Sequence, residues 1–302
     1  KKQLKYIFSY VDNCNMCGQR TEGHKILGKR LNKSQGKNPR NKIGITITVS
    51  KCNQCGLIYS NPQPIPFDLQ DHYGIALQNY WVEQDLTISE GYFKGEIERL
   101  RQLIGFTSGM KSLVIGAGFG RQMKALSNIG FDTYGFEPSK SFYDKAISKM
   151  KINPEKLKLG TIEEVKYQEN YFDFITFSNV LEHVYNPSES IKKAIKWLKP
   201  NGVIHIEVPS SAWLINKFNN VFYRLTLTDY ISNISPMHAP FHLYEFSLKS
   251  FKLHAQQNAY VIAFHEYYVC KTFMPKIVDK ILKPYMRLTN TGMDLCVWLR
   301  KK

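Results

Sequence analysis

From residue 110 onward, short apolar runs alternate with segments of helical periodicity, and no other feature of the sequence constrains the fold as strongly. The apolar runs predict strands at 112–115, 133–136, 174–177 and 203–208. The segments between them predict helices near 120–129, 139–150 and 187–198. Strands that alternate with helices in this way form a parallel sheet covered by helices. We therefore expect an α/β domain.

Weaker patterns flank these elements. Upstream, apolar positions between 88 and 105 recur at a helical period and predict a helix. The stretch 210–244 is rich in aromatic residues and too irregular to assign. Beyond it, the patterns predict a helix at 248–258, a strand at 261–269, a helix at 275–288 and a strand at 295–299.

The N-terminal part contains two C-x2-C pairs, and each pair is followed by a glycine. The four cysteines are Cys14, Cys17, Cys52 and Cys55. Such a pair forms a tight turn that aims two thiolates at one point, and the glycine lets the backbone fold back toward sulfur. Two pairs predict a tetrahedral structural zinc site, with reduced free thiols as the alternative. Between the pairs, residues 44–49 predict a strand with Ile45, Ile47 and Val49 on one face.

A proline-rich stretch at 61–66 ends this module, because its prolines prevent a helix from continuing through it. We predict three parts for the chain: a zinc-ribbon module at 1–66, a helical linker or lid at 67–109 and the α/β domain at 110–302. Residues 210–244 form an inserted substrate segment in that domain.

A glycine-rich turn, Gly116-Ala117-Gly118-Phe119-Gly120, follows the first predicted strand of the α/β domain. A turn of this kind lets the backbone approach a nucleotide-like ligand closely. Glu137 ends the next predicted strand, where a carboxylate can accept hydrogen bonds from both ribose hydroxyls. The alternative for Glu137 is an acid at a helix N-terminus, before Pro138. Together, the turn and the acid predict a nucleotide-like cofactor.

Five motifs occur in order. They are the glycine turn, Gly135-Phe136-Glu137-Pro138-Ser139, Phe172-Asp173-Phe174-Ile175, Asn179-Val180-Leu181-Glu182-His183-Val184 and Leu198-Lys199-Pro200-Asn201-Gly202. In this order they resemble the motifs of class I S-adenosylmethionine-dependent methyltransferases, over about residues 90–302. The resemblance implies a doubly wound, mostly parallel, seven-stranded Rossmann-like sheet. It also implies an enzyme that uses S-adenosylmethionine as its methyl donor.

The cysteine module, the Asn61-Pro62-Gln63-Pro64 stretch and the segment His238-Ala239-Pro240-Phe241-His242 resemble one branch of that superfamily. This branch contains bacterial methyltransferases associated with sugars and surface polysaccharides. It implies a small-molecule or glycan-like acceptor, possible examples being nucleotide sugars. Two positions depart from related motifs: Val114 stands where the first strand usually carries an acid, and Asn179 stands where ubiquinone-biosynthesis O-methyltransferases tend to have one.

The resemblance also implies which residues form the site. The cofactor-binding residues would be Gly116, Ala117, Gly118, Glu137, Pro138, Thr161, Ile162, Glu163, Ser178 and Asn179. Residues 161–163 would approach the adenine, and Ser178 and Asn179 the methionine end. A protic acceptor also needs a base, and imidazoles suit that role near neutral pH. The candidates are His183, His242 and His238, with Tyr244 and Glu182 as substitutes if none of them acts.

The chain carries a formal net charge of +16, and half of it lies between residues 18 and 51. Such a cluster can bind phosphates, so a zinc-ribbon RNA methyltransferase is the alternative function. The cluster has no aromatic side chain that could stack on a base, so we favour a small acceptor over nucleic acid. A non-catalytic cofactor-binding scaffold is a further alternative, because Val114 replaces the usual acid.

Composition indicates an ordinary globular protein, with 43% hydrophobic and 22% charged residues. No window holds 18 uninterrupted apolar residues, so we expect no membrane span. Residues 1–8 lack the apolar core and cleavage site of a signal peptide, so we expect a cytoplasmic protein.

Overall fold

The structure is a computed structural model. It describes residues 6–30, 46–73, 88–89, 91–234, 241–270, 272 and 274–302. Some predicted features fall outside these ranges. They are Ile45 of the predicted strand, the candidate base His238, and four cations of the basic cluster, Lys33, Lys37, Arg40 and Lys42.

The N-terminal module is built from short strands. Within the described ranges they are β1 (Tyr6–Ser9), β2 (Lys25–Arg30), β3 (Ile47–Lys51), β4 (Ile58–Ser60) and β5 (Gln63–Pro66). β1 pairs with β5, while β2, β3 and β4 form an antiparallel sheet. Ile47 and Val49 of β3 are both buried, which agrees with the common face predicted for them. The helices α1 (Leu69–Tyr73) and α2 (Lys94–Ile104) follow the module.

The main domain alternates strands and helices along the chain. Its strands are β6 (Lys111–Ile115), β7 (Asp132–Glu137), β8 (Leu157–Leu159), β9 (Phe172–Ser178), β10 (Leu198–Pro209), β11 (Tyr244–Glu245), β12 (Tyr260–Tyr268) and β13 (Asp294–Lys301). Its helices are α3 (Arg121–Asn128), α4 (Lys140–Ser148), α5 (Pro187–Trp197), α6 (Leu214–Leu225), α7 (Leu248–Gln257) and α8 (Lys276–Leu288). Three of these helices, α4, α5 and α7, begin with a side-chain cap; at the start of α5, the Asn186 side chain accepts a hydrogen bond from the Glu189 N–H.

Seven strands of the main domain form one sheet in the order β12-β13-β10-β9-β6-β7-β8. The strands from β6 to β10 run parallel, and β13 is antiparallel to both of its neighbours. Phe172, Phe174, Ile175 and Phe177 of the central strand β9 are fully buried, as expected for a strand covered on both faces. The predicted fold class, a doubly wound, mostly parallel, seven-stranded sheet, is confirmed.

The predicted elements of the main domain agree with the observed ones to within a few residues, and the differences have physical causes. The helix predicted from residue 88 begins only at Lys94, after a turn at 91–93. The stretch 210–244, which the sequence left unassigned, contains the twelve-residue helix α6. Many of the apolar residues of α6 are exposed rather than buried, so their spacing does not indicate a helix that packs on the core. β8 and β11 are too short to produce a pattern.

The N-terminal module and the main domain share one core. β11, which follows the 210–244 stretch, pairs antiparallel with β4 and extends the module's sheet, with Tyr244 opposite Tyr59. Buried side chains of the module, including Val49 and Leu57, belong to the same apolar cluster as Ile204 of β10. The module is therefore packed directly against the main domain.

Candidate active site and metal centre

A cavity of about 610 Å³ lies at the carboxyl ends of β6, β7 and β9. Open α/β sheets bind their ligands at this edge. All ten residues that the resemblance implied for cofactor binding line the cavity: Gly116, Ala117, Gly118, Glu137, Pro138, Thr161, Ile162, Glu163, Ser178 and Asn179. The structure thus brings together segments that are up to 63 residues apart in the sequence, from Gly116 to Asn179.

The glycine turn combines close packing with an open approach. Gly116 has a φ of +65°, and a Cβ there would lie 2.6 Å from Cγ2 of Val180, so no side chain fits. Gly118 has a φ of +54°, and a Cβ there would meet nothing within 4 Å. Because Gly118 lines the cavity, its bare backbone leaves room for a ligand to lie directly against the turn.

Glu137 ties the glycine turn to the end of β7. Its Oε2 accepts a hydrogen bond from the Gly118 N–H at 2.7 Å, and its Oε1 accepts one from the Ser139 N–H at 2.9 Å. Burial raises the pKa of this carboxyl to about 7, although the two N–H donors favour the charged form. Each oxygen retains a further lone pair for a ligand hydroxyl. Glu137 therefore both accepts the N–H near the start of α4 and faces the cavity.

Another part of the cavity wall is formed by Ser178, the last residue of β9, and by Asn179, which follows it. The Ser178 hydroxyl donates to Oε2 of Glu207 at 2.9 Å, and the Asn179 N–H donates to the Glu207 carbonyl oxygen at 2.9 Å. Burial raises the pKa of Glu207 to about 7. The sequence did not single out Glu207, which lies on the neighbouring strand β10 and positions both cavity residues. Val114, at the position of the usual acid, is buried.

Arg121 and Tyr92 also line the cavity, and the sequence analysis missed both. The guanidinium carbon of Arg121 lies 4.3 Å from the centroid of the Tyr92 ring, a cation–π contact. Nε of Arg121 is buried and has no hydrogen-bond partner among the described residues. A cation directly after the glycine turn is the signal that could have indicated Arg121. The position of Tyr92, 24 residues before Gly116, carries no such signal.

Helix α1 covers part of the cavity. Leu69 and Tyr73 line it, and the Gln70 side chain bonds to the loop that follows Glu137. Gln70 Nε2 donates to the Pro138 carbonyl oxygen at 2.8 Å, and Gln70 Oε1 accepts from the Lys140 N–H at 3.0 Å. This contact places α1, which belongs to the predicted linker or lid at 67–109, beside the part of the cavity that Glu137 and Pro138 line.

His183 is the candidate base that reaches the cavity. Its Nδ1 lies 2.9 Å from the carbonyl oxygen of Phe241. A carbonyl oxygen only accepts, so Nδ1 carries the proton and Nε2 of the neutral ring is left with a lone pair. This tautomer is the one that a base acting through Nε2 requires.

His242 lies behind His183 and does not line the cavity. The two ring centroids are 4.7 Å apart, in an edge-to-face arrangement. The fully buried carboxyl of Glu182 lies between them, with Oε1 3.9 Å from Nε2 of each ring. Burial raises the pKa of Glu182 well above its usual value. The third candidate, His238, lies outside the described residues.

Tyr244, which the sequence analysis named as a substitute base, makes three hydrogen bonds through its hydroxyl. Its hydroxyl donates to the Tyr185 carbonyl oxygen at 2.7 Å and accepts from the side-chain amides of Asn15 and Gln63, both at 2.6 Å. Asn15 stands between the first two cysteines of the module, and Tyr185 lines the cavity. Tyr244 therefore connects the cysteine module to the wall of the cavity.

The four cysteines of the module form a compact buried cluster. Their sulfur atoms all lie within 4.8 Å of one another, with Cys14 Sγ 3.5 Å from Cys55 Sγ and Cys17 Sγ 3.6 Å from Cys52 Sγ. Tetrahedral zinc with Zn–S bonds of about 2.3 Å separates its sulfur ligands by about 3.8 Å. The cluster thus has the ligand number, ligand type and approximate spacing of a structural zinc site.

Both cysteine pairs adopt the turn predicted from their glycines. The Gly18 N–H donates to the Cys14 carbonyl oxygen at 2.9 Å, and the Gly56 N–H donates to the Cys52 carbonyl oxygen at 3.0 Å. The φ angles of the two glycines are +74° and +76°, in the left-handed region that favours glycine. Four protein sulfurs leave no open coordination position, so the chemistry of the donor set fits a structural ion.

The predicted basic cluster is only partly available for binding phosphates. Arg30 is 1% exposed and donates from Nη1 to the Ile231 carbonyl oxygen at 2.8 Å. Burial lowers the pKa of Arg30 to about 10, while the nearby Glu245 carboxyl favours its charge. Lys29 is exposed but lies 3.7 Å from the carboxylate of Asp229. Arg30 therefore has a structural role rather than a surface role.

Comparisons with known proteins agree with this geometry. Residues 113–206 match the family described as "Methyltransferase domain". The ubiquinone biosynthesis O-methyltransferase of Bradyrhizobium diazoefficiens is 29% identical over 124 residues, which is 39% of this chain and 47% of that protein. The protein of the same name from Rhodopseudomonas palustris is 27% identical, with the same coverage of both chains. The chain thus spans about half the length of the curated relatives it matches.

A solved structure shares the fold. It is the Haemonchus contortus phosphoethanolamine N-methyltransferase 2 in complex with phosphomonomethylethanolamine and S-adenosylhomocysteine. The TM-score is 0.51 at 13% identity, and the match covers 83% of this chain and 65% of that one. Residues 113–206 therefore match a methyltransferase domain, and the sheet that contains them has the fold of this solved structure. The relatives named above are enzymes of ubiquinone biosynthesis, so the resemblance to sugar and polysaccharide methyltransferases stays a prediction.

Proposed function

We propose that the chain binds S-adenosylmethionine in the 610 Å³ cavity and transfers its methyl group to a protic small-molecule or glycan-like acceptor. The observation that carries this proposal is the pairing of Glu137 with Gly118. It places a buried carboxylate against a bare backbone turn, at the carboxyl edge of a domain that matches a methyltransferase family. A nucleoside fits this arrangement. Its ribose hydroxyls can donate to the carboxylate, and its sugar can lie against the backbone of the glycine turn because no side chain projects there.

The cavity gives each part of the cofactor a partner. The ribose hydroxyls donate to Glu137, and the adenine lies against residues 161–163. The methionine end lies near Ser178 and Asn179, and its carboxylate pairs with Arg121. Arg121 supports this orientation because its buried Nε has no partner among the described residues and a carboxylate would supply one. The cofactor thus contributes an electrophilic methyl group on sulfur.

His183 is the base in this proposal. Nε2 of its neutral ring takes the proton from the acceptor hydroxyl as the acceptor oxygen bonds to the methyl carbon. The carbon–sulfur bond breaks, and its electron pair stays on sulfur. The relatives are named as O-methyltransferases, which supports oxygen as the methylated atom. Oε1 of Glu182 lies 3.9 Å from Nε2 of His183, and this buried carboxyl, whose pKa is raised, stabilises the imidazolium that forms by ionising itself.

The module at 1–66 holds one structural zinc ion in this proposal, through Cys14, Cys17, Cys52 and Cys55. The ion folds the module, because strands as short as these bury too little apolar area to fold unaided. The module in turn positions Asn15 and Tyr244 at the cavity wall. For the alternative, an RNA methyltransferase, the described part of the basic cluster offers the exposed cations Arg20, Lys25, Lys29 and Lys51, whereas Arg30 is buried.

Binding of S-adenosylhomocysteine tests the placement of the cofactor. Gly118→Ala adds a Cβ that projects into the cavity, so we expect calorimetry to show a dissociation constant at least tenfold higher, about 1.4 kcal/mol. Gly109→Ala is the matched control, because Gly109 also has a positive φ and open space at its Cβ but lies away from the cavity. Equal affinities in the two variants would show that the cofactor site has been misplaced.

A further inference from the structure

Helix α8 is an unusual element because most of its surface faces solvent. Of its side chains, only Met286 is fully buried. Ile277, Ile281 and Leu288 are 76%, 79% and 84% exposed. Helices of globular proteins normally bury their apolar face against the core. The exposed apolar residues of α8 therefore need a partner that the described residues do not provide.

The charges of α8 are arranged beside this apolar stripe. At about 100° per residue, Ile277, Ile281, Tyr285 and Leu288 form one stripe along the helix. Four cations, Lys276, Lys280, Lys283 and Arg287, lie in an adjacent arc of about 60°. Lys283 lies 3.4 Å from the carboxylate of Asp279, whereas the other three are exposed. An exposed apolar stripe bordered by a row of cations is the pattern of a helix that lies at a membrane surface.

Helix α6 repeats the pattern. Phe218, Val221, Phe222 and Leu225 form an exposed stripe, and Leu227, just after the helix, is 95% exposed. Two exposed cations, Lys217 and Arg224, border that stripe on one side. Because two helices share this arrangement, the exposed apolar stripe of α8 is not an isolated irregularity of the surface.

The two helices lie at the same edge of the sheet. α6 follows the carboxyl end of β10, and α8 follows the carboxyl end of β12. The Leu214 N–H at the start of α6 donates to the carbonyl oxygen of Thr291, just beyond α8, at 3.2 Å. The Ser210 N–H donates to the Met293 carbonyl oxygen at 2.8 Å. These contacts connect the start of α6 to the segment that follows α8.

We propose that the exposed stripes of α6 and α8 bind the surface of an anionic phospholipid bilayer. The apolar side chains enter the boundary between headgroups and acyl chains, and the cations pair with the anionic headgroups. In the described part of the chain, no helix is long and apolar enough to cross a membrane, so the contact is peripheral. A second copy of this chain is a poorer partner, since it presents the same cations to the cationic row. The proposal stands independently of the methyl transfer.

Sedimentation with lipid vesicles tests the proposal on the full chain. We expect the protein to bind vesicles that contain phosphatidylglycerol, not vesicles of phosphatidylcholine alone, and to dissociate as salt rises. The double variant Ile277→Ser, Ile281→Ser should bind at least tenfold more weakly. Leu159→Ser is its control, because Leu159 is 46% exposed on β8, which is the edge strand at the other end of the sheet from β12.

The charge contribution is tested separately. Lys280→Gln should weaken binding about fivefold, which corresponds to about 1 kcal/mol for each cation at the membrane surface. Lys249→Gln, an exposed cation on α7, should leave binding unchanged. The affinity for S-adenosylhomocysteine and the melting temperature should be the same in all these variants, which shows that they are folded.

Three results would overturn the proposal. One is the absence of wild-type binding to phosphatidylglycerol vesicles, and another is equal binding to vesicles of phosphatidylcholine alone. The third is a dimer, detected by light scattering, that the double variant dissociates, because a second copy would then cover the stripes.

Discussion

The two ends of the cavity are built in different ways. We call the part around the glycine turn and Glu137, where we propose that the cofactor binds, the cofactor end, and the part around His183 the acceptor end. At the cofactor end, the glycine turn and Glu137 belong to consecutive strand–turn–helix units, and their hydrogen bonds involve the backbone. At the acceptor end, His183 meets Phe241 and His242, which are 58 and 59 residues further along the chain. Local chemistry forms the first end, whereas long-range packing assembles the second. Substitutions at the cofactor end should therefore change the affinity for the cofactor, whereas substitutions at the acceptor end should change turnover.

The largest expected effect is at the acceptor end. Once an acceptor is found, His183→Ala should lower kcat by about 10² to 10⁴, because the general base is lost. Affinity for S-adenosylhomocysteine should stay the same, since none of the proposed cofactor contacts involves the His183 side chain. His265→Ala is the control, because this histidine is exposed on β12. Wild-type turnover in His183→Ala would show that the acceptor needs no base or uses another one.

His242 sharpens the same comparison. It touches the His183 ring but does not line the cavity, so we expect His242→Ala to lower kcat about tenfold, less than His183→Ala. The pH dependence of kcat should also shift, because His242 and Glu182 surround the imidazole that accepts the proton. A larger loss than in His183→Ala would mean that the roles of the two histidines have been exchanged.

The cysteine cluster supports the acceptor end through the module. Cys52→Ser should lower the free energy of unfolding by about 4 kcal/mol or more, the range in which a lost structural metal falls. Elemental analysis should find one zinc per wild-type chain and less in the variant. Cys270→Ser is the control, because Cys270 lies outside the cluster. Less than half an equivalent of zinc in wild-type protein purified without chelator would contradict the zinc site.

The features that could be predicted from the sequence are those formed by local structure rather than by long-range packing. The strands β6, β7, β9 and β10 could be predicted because each is a dense apolar run between helical patterns. The ten candidate cofactor residues could be named from the resemblance to methyltransferase motifs, and they line one cavity because the strands beside them share one carboxyl edge. All of these inferences depend on local order along the chain.

What the sequence could not indicate depends on distant contacts. The pairing of β11 with β4 joins residues 185 apart, Tyr59 and Tyr244, and no local pattern encodes it. The position of His242 behind His183 depends on the same long-range packing. Helix α6 was missed for another reason. Sequence-based prediction of helices assumes that the apolar face of a helix is buried, whereas the apolar side chains of α6 face solvent.

At the cofactor end, Glu137→Ala should weaken binding of S-adenosylhomocysteine by about 1 to 3 kcal/mol, because ribose hydroxyls would lose their partner in a buried site. Turnover at saturating cofactor should change much less. Glu164→Ala is a useful control, because this acid also lines the cavity but bonds to the Thr161 N–H rather than to the glycine turn. An unchanged dissociation constant in Glu137→Ala would show that the ribose lies elsewhere.

The smallest expected effect is the pH dependence of that binding. Burial raises the pKa of Glu137 to about 7, and ribose hydroxyls donate to the ionised form, so binding should strengthen as the pH rises through 7. A group with a pKa of 7 is about one-tenth ionised at pH 6 and about nine-tenths at pH 8, which predicts a gain of about tenfold. Calorimetry at several pH values should show this rise in wild-type protein and a flat profile in Glu137→Gln.

Stability should respond to Glu137 with the opposite sign. The folded protein holds the proton up to about pH 7, whereas the unfolded chain releases it near its ordinary value of about 4.3. Between these values the folded state binds more protons, so the contribution of Glu137 to the free energy of unfolding falls as the pH rises. Glu137→Gln should remove that slope in denaturant titrations.

Glu207, whose pKa is also about 7, does not line the cavity, and any slope that persists in Glu137→Gln belongs to such groups. A binding profile that rises equally in both proteins would assign the pH dependence to a group other than Glu137.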